Sequence, residues 1–453
     1  MIAILGGGIT GLTVAHQLKK QGKEFVLLEA GPELGGNIQS HRHKDITFEL
    51  GPNTVLMNKP EVKQMIEELN LSDQLIFANN EASKNRFVLK NNKIEAIPSS
   101  FSTLFSSRLF GLNTLLSILK EPFIRKKTDQ QEESLATFIR RRFSDQILHD
   151  FVEPFVGGIY AGDPEKMSVS HSMKMLVEAE ESKGSVLQGM IHLLKKRKKS
   201  KGYSQLPKQK IFTFPQGLQQ IAKEVGEKIK GACVLNATVK QIKVNAKNGY
   251  TLEIDQSGKK RTLDVDQVVS TVPAHVLSSL LEKVDNTFSK RLNSINYVPA
   301  IVTHLVYPKI RLRFSEKPFG ILSRKNEEAP FLGILFNHSF FPHQSPNGKL
   351  LLTVISGGYK HRDLLDIPEE ALIKKITSSV EELLKINYAV EYFHIKKWKK
   401  AIPQYELGYG KVKTAIRDFE KTHSNFHIGG NYYEGISVSD CIVRGVRIAQ
   451  LLE

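Results

Sequence analysis

The chain opens on an unbroken apolar run, Ile2 to Leu5, which ends in the glycines of GGGITG. From Gly11 onward Leu12, Ala15 and Leu18 recur at helical spacing as far as Gly22, and a second apolar run, Phe25 to Leu28, closes on Glu29. This predicts a buried strand, a helix and a second buried strand, the order of a parallel β-α-β unit. Polar alternation in IQSHRHKDITFELG predicts a hairpin ending in Gly51-Pro52-Asn53. Val62, Ile66 and Leu69 predict a helix, and RFVLKNNKIEAI a short hairpin turning at Asn91-Asn92. Residues 101–194 read as mostly helical. TVKQIKV and YTLEI alternate as a hairpin before DQVVSTV, a central strand stopped by Pro273. IVTHLVY, FLGILF, KLLLTVIS and EYFHIKKW predict an antiparallel sheet with one amphipathic helix at about 369–386. FHIGGNYYEGISVSDCIVRGVRIAQLLE predicts a strand, a glycine-rich turn and a last helix.

Gly6, Gly8 and Gly11 stand at G-x-G-x-x-G spacing between strand and helix, with an acid closing the second strand 18 residues after Gly11. That context is what a dinucleotide site requires: a tight turn, close approach of backbone to pyrophosphate, and helix packed on strand. The helix N-terminus offers unpaired N–H groups to the phosphates, and Glu29 can accept from ribose hydroxyls. An acid here disfavours a 2′-phosphate, so NADP is unexpected. Gly35-Gly36-Asn37 and a hairpin follow where a nicotinamide dehydrogenase usually has a helix; that arrangement resembles the FAD-containing amine oxidase and desaturase superfamily, which implies FAD. His41 and His43 share a strand face but have no third ligand in the sequence, so a polar hairpin face is expected and no metal site.

At 453 residues the chain exceeds one core, so two or three domains are expected. It has no run of 18 apolar residues, and nothing basic precedes its first apolar run, so neither a transmembrane helix nor a cleaved signal peptide is expected. Two cysteines, Cys233 and Cys441, make no disulfide framework, which suggests a cytoplasmic chain. The net charge of +17 requires an anionic partner or solvated lysines. Its densest block, KKRKKSK at 195–201, and the apolar stretch at 101–119 suggest peripheral contact with an anionic membrane on its cytoplasmic face. No nucleic-acid motif accompanies the charge.

FVEPFVGGIYAGDPEKMS (151–168), WKKAIPQYELGY (398–409) with the only tryptophan, GNYYEGISVSDCI (430–442), FELGPNT, FPQGL and STVPA together resemble the oxygen-dependent protoporphyrinogen oxidase family, within the FAD-dependent amine oxidase superfamily. The expected fold is α/β. A discontinuous, Rossmann-like FAD-binding domain of the two-dinucleotide type would comprise 1–85, 205–295 and 405–453. A mostly helical insert, a candidate membrane-binding domain, would occupy 86–204, and an antiparallel-sheet substrate domain 296–404.

The resemblance implies cofactor roles residue by residue. Gly6, Gly7, Gly8, Ile9, Thr10 and Gly11 would hold the pyrophosphate, and Glu29 the adenosine ribose. Gly36 and Asn37 would join Gly51, Pro52, Asn53 and Thr54 in lining the flavin. Val239 would meet the adenine, and Trp398 the isoalloxazine. Ile436, Ser437 and Val438 would turn N–H groups toward the pyrimidine end of the flavin, where charge develops on reduction. Ser437 alone could equally be an N-cap. Arg86 would pair with a propionate of the substrate and Gly162 would bring backbone near its ring system; a surface arginine and a turn glycine are the plain alternatives. No catalytic base is expected.

The implied reaction is six-electron oxidation of protoporphyrinogen IX to protoporphyrin IX in haem biosynthesis. It takes three flavin cycles, with molecular oxygen as acceptor and hydrogen peroxide as by-product. Coproporphyrinogen III oxidation to coproporphyrin III is the nearest alternative. An FAD amine oxidase and a non-catalytic flavin- or tetrapyrrole-binding protein are more remote, and a homodimer is left open.

Overall fold

The computed structural model describes residues 1–98, 109–129, 131–199, 206, 207, 210–314 and 316–452. Residues 101–108 of the apolar stretch, and 200 and 201 of the basic block, lie outside that set.

Ile2–Leu5 is central in a five-stranded parallel sheet, between Phe25–Leu28 and Gln267–Ser270. Cys233–Val234 and Phe426–Ile428 form its edges. Strands from distant parts of the chain meet here, so this domain is discontinuous. A parallel sheet must be covered on both faces. Ile2 and Ile4 point to a core shared with the helices Ile9–Lys20, Gln219–Lys228 and Val438–Leu451. Ala3 and Leu5 point the other way, toward the helices Ala274–Leu281, Asn286–Asn293 and Tyr409–Thr422. A three-stranded antiparallel meander lies on that second side: Ala237–Val244, Tyr250–Gln256 and Lys259–Val265. Its third strand adds to the predicted hairpin. It is mostly exposed and rich in lysine, so its alternation is weak.

The second sheet has seven strands in the order Tyr392–Pro403, Tyr297–Tyr307, Leu350–Gly357, Gly333–Leu335, Gly320–Ser323, Arg86–Lys90 and Lys93–Ala96. The last two are the predicted Asn91-Asn92 hairpin, and both turn residues take positive φ, 53° and 57°. The sequence places this hairpin in the helical insert; the structure instead adds it to the sheet, where Arg86–Lys90 pairs with Gly320–Ser323 in parallel rather than antiparallel fashion. A hairpin's own pattern carries no information on which sheet edge it joins. The helix Glu369–Leu384 buries Leu372, Ile376, Val380 and Leu384 against one face of this sheet. The hairpin Ser40–His43/Ile46–Glu49 covers part of the other face, where His41 stacks on His394 and Phe48 packs on His304.

The insert is helical as expected from residue 112 onward, with Leu135, Phe138, Leu148 and Val156 in its core. Arg142 and Glu121 are both fully buried and paired with each other. Glu121 also accepts from Ser185 Oγ at 2.6 Å and from the Val186 N–H at 2.7 Å. A buried pair persists only when its remaining hydrogen-bonding capacity is met in this way.

Candidate flavin and substrate site

The glycine loop is shaped by its own backbone. Gly6 has φ of +99°, a conformation that disfavours side chains. The Thr271 hydroxyl lies 2.9 Å from Leu5 O and 3.0 Å from Gly6 O, tying this turn to the neighbouring strand. A Cβ on Gly11 would collide with Gly6 O, so helix and turn pack as closely as backbone allows. Gly8 is different: nothing lies within 4 Å of where its Cβ would be. The helix Ile9–Lys20, which contains Thr10, begins beside that space with no side-chain cap and no acid in its first turn. Open space at an uncapped helix start suits a pyrophosphate.

Glu29 is held from two sides, Oε2 accepting the Gly7 N–H at 2.6 Å and Oε1 the Gly31 N–H at 2.7 Å. That fixes the carboxylate at the end of its strand while lone pairs remain for ribose hydroxyls. The strand carrying Val239 starts from the same place, because the Ala237 N–H donates to Glu29 O at 2.8 Å.

A second layer closes on this loop. The Gly35 N–H donates to Gly7 O at 2.9 Å, and a Cβ on Gly36 would stand 3.1 Å from Gly8 Cα. A Cβ on Gly51 would strike Asn37 O, so the Gly36-Asn37 turn and the start of Gly51–Thr54 touch. Trp398 Nε1 donates to Leu50 O at 2.7 Å, and Asn53 Nδ2 to Gly51 O at 3.3 Å. Ser437 is the N-cap of the last helix: its Oγ accepts the Asp440 N–H at 3.1 Å and lies 2.6 Å from Asp440 Oδ2. Its side chain is therefore committed to the cap. The Asp440 carboxylate offsets part of the positive helix end that the sequence offers to a reduced flavin. Only the main chain of Ile436, Ser437 and Val438 is left for that role.

The two substrate-side residues make none of these contacts. Arg86 is exposed at the start of its strand, its guanidinium 4.8 Å from the centre of the Phe319 ring and in no ion pair among the described residues. A Cβ on Gly162 would come within 2.5 Å of Gln404 Oε1 and 2.7 Å of Met167 Sδ, so a larger residue there would have to displace the ends of those two side chains. Among the described residues no three metal-ligating side chains cluster. His41 and His43 instead stack on His394 and Tyr392, at 4.6 and 3.8 Å between ring centres.

The sequence pattern does not single out Thr271. Thr271 lies inside the STVPA stretch, but nothing local shows its hydroxyl reaching back to residues 5 and 6.

An open glycine cradle, an anchored acid and a second glycine turn folded over the first fit FAD, and together they define a dinucleotide-binding flavoprotein. The family described as "Flavin containing amine oxidoreductase" matches residues 9–452, and the chain belongs to it. It is an FAD-dependent oxidoreductase. It is 27% identical over 463 residues to protoporphyrinogen oxidase 1, chloroplastic, of Arabidopsis thaliana, covering 97% of this chain and 85% of that one. It is 25% identical over 462 residues to coproporphyrinogen III oxidase of Bacillus subtilis (strain 168), covering 98% and 96%. The fold superposes on a crystal structure from Exiguobacterium sp. 255-15, provisionally assigned as a protoporphyrinogen oxidase. The TM-score is 0.83 at 19% identity, over 100% of this chain and 98% of that one.

Proposed function

We propose that this protein oxidises protoporphyrinogen IX to protoporphyrin IX in haem biosynthesis, with oxygen as the final acceptor and hydrogen peroxide as the by-product. The observation that carries the reading is Arg86, an arginine with no carboxylate partner among the described residues, held over the Phe319 ring. Such a guanidinium can take a propionate through both its N–H forks while the ring beside it meets the apolar macrocycle. Bound FAD supplies a two-electron acceptor, so the loss of six hydrogens takes three passes. The residues of this chain orient and enclose. Glu29 and the glycine loop hold the adenosine diphosphate half. Gly51–Thr54 and the main chain of Ile436–Val438 line the flavin half. No side chain is assigned as a general base.

Coproporphyrinogen III is the second reading, favoured by further cations that form no ion pair among the described residues: Lys396 over Trp398, and Lys166 and Arg362 over Tyr359, each at 4.7 Å. Four propionates would use more cations than two. Anaerobic mixing of the FAD-loaded protein with each porphyrinogen in turn separates the readings. The expected result is bleaching of the flavin band by protoporphyrinogen IX, with recovery and porphyrin fluorescence on admitting air. Faster bleaching by coproporphyrinogen III selects the second reading, and no bleaching by either rejects both.

Peripheral contact with an anionic membrane belongs to the same proposal. Leu112, Leu116 and Leu119 form one stripe of the helix Leu112–Lys120, followed by Phe123, and Leu112 and Phe123 are 80% and 86% exposed. The adjoining helix Val186–Lys199 exposes Ile191 and Leu194 and ends in Lys195, Lys196, Arg197, Lys198 and Lys199. Apolar stripe and basic end make an interfacial face. Among the described residues no helix is long and apolar enough to cross a membrane.

A further inference from the structure

A chain of buried polar groups runs from the loop at Asn53 into the middle of the seven-stranded sheet. Asn337 Nδ2 lies 3.5 Å from Asn53 Oδ1, and Asn337 Oδ1 lies 2.7 Å from Thr353 Oγ1. Thr353 Oγ1 lies 3.0 Å from His304 Nδ1, and His304 Nε2 lies 3.1 Å from Glu49 O. Asn337, Thr353 and His304 are buried, and the last two face each other in antiparallel register. Their neighbours on the same face of those strands, Val302, Val306, Leu351 and Ile355, are apolar. A sheet core gains nothing from such an interruption, because unmet buried polar groups are costly.

We propose that His304 is a positioning residue for the flavin. With Trp398 it holds the consecutive main-chain carbonyls of Glu49 and Leu50, and so sets where Gly51–Thr54 meets the isoalloxazine. The sheet that would carry the substrate thereby holds the segment leading into the cofactor loop at residues 49 and 50.

The proton count supports this. Complete burial, with His394 and His41 nearby, pushes the His304 pKa down to about 3, so the ring is neutral and has one N–H. The Glu49 carbonyl only accepts, so that N–H is at Nε2, and Nδ1 accepts from the Thr353 hydroxyl. With the Asn337 amide turned to give its nitrogen to Thr353, and Gln344 turned to donate Nε2 to Asn337 Oδ1, the His304–Thr353–Asn337–Gln344 chain is paired in one direction. The opposite tautomer leaves Nε2 bare against a carbonyl.

The inference rests on the proposed placement of the flavin against Gly51–Thr54. Its test uses FAD alone, in three variants of the full chain: His304→Leu, which removes the donor; His304→Gln, which keeps an N–H near Glu49 O; and Thr353→Val, which removes only the hydroxyl. The readouts are the FAD dissociation constant, the flavin visible spectrum and the midpoint potential. His304→Leu is expected to weaken FAD binding about tenfold and to displace the spectrum. It should also change the ratio of oxidised to reduced affinity severalfold, a tenfold change being ~30 mV for a two-electron couple. His304→Gln should recover most of each, and Thr353→Val should shift them in the same direction by less. Wild-type spectrum and potential in folded His304→Leu and Thr353→Val overturn the proposal. If His304→Leu does not fold, Thr353→Val decides. A wild-type flavin unreactive to both porphyrinogens would reject the proposed reaction and leave this inference standing.

Discussion

The indole Nε1 of Trp398 donates to the main-chain oxygen of Leu50 at 2.7 Å, across 348 positions of sequence. The only tryptophan of the chain thus fixes the residue just before the flavin-side loop. Trp398→Phe keeps the ring and removes the donor, leaving a part-buried carbonyl unpaired. FAD affinity should fall by about 1 kcal/mol, roughly fivefold, as read by flavin fluorescence titration. Unchanged affinity would mean that the loop holds its place without this bond.

Two glycines of one motif should fail in different ways. Gly11→Ala drives a methyl into Gly6 O and should prevent folding of the first β-α-β unit. Gly8→Ala meets only open space at an ordinary φ of −72°. It should fold normally and lose FAD by roughly tenfold or more, because the methyl occupies pyrophosphate space. Thermal unfolding of the apoproteins together with FAD titration would show the split. Equal FAD binding by Gly8→Ala and wild type would remove Gly8 from the site.

Arg86 forms no ion pair among the described residues, so Arg86→Ala should leave stability within about 0.5 kcal/mol of wild type. The KM for porphyrinogen should rise roughly 10- to 100-fold, the range for losing a charge-assisted bond to a carboxylate. Arg86→Lys should recover only part of this, since an ammonium lacks the planar fork. Steady-state kinetics with a fixed amount of FAD would check both.

Glu49 is buried, accepting from the Leu218 N–H at 2.8 Å with the Ser40 hydroxyl also at 2.8 Å, and burial raises its pKa to about 7. Its folded pKa lies above its unfolded value near 4.5, so the folded state binds the extra proton. The contribution is whole below pH 4.5 and is lost as pH rises through 7, on the order of 3 kcal/mol. Glu49→Gln should flatten stability across that window, as measured by urea unfolding at several pH values. An unchanged slope would assign the pH dependence to other groups.

Leu112→Asp combined with Phe123→Asp should leave the fold intact, because both side chains are largely exposed. Co-sedimentation with anionic vesicles at low salt should fall severalfold. Undiminished binding would move the membrane contact to another face.

The elements of residues 2–29 are legible in the sequence, because strand, glycine turn, helix, strand and acid are neighbours within 28 positions. The same holds for the Asn91-Asn92 turn, for the Glu369–Leu384 helix with its apolar face, and for the strand, turn and helix at the end of the chain. Periodicity and turn chemistry are local, so the sequence alone determined them.

Partners that come from far along the chain were decided only by the tertiary structure. The hairpin carrying Arg86 pairs with the sheet at Gly320–Ser323, and no pattern within its twelve residues encodes that partner. Thr271 on Gly6, Leu218 on Glu49, Trp398 on Leu50 and Thr353 on His304 are side-chain-to-backbone or side-chain pairs formed across strands and domains. A buried donor must find an acceptor, but which one is set by which backbones the fold brings together, and that choice leaves no periodic trace in the residues themselves.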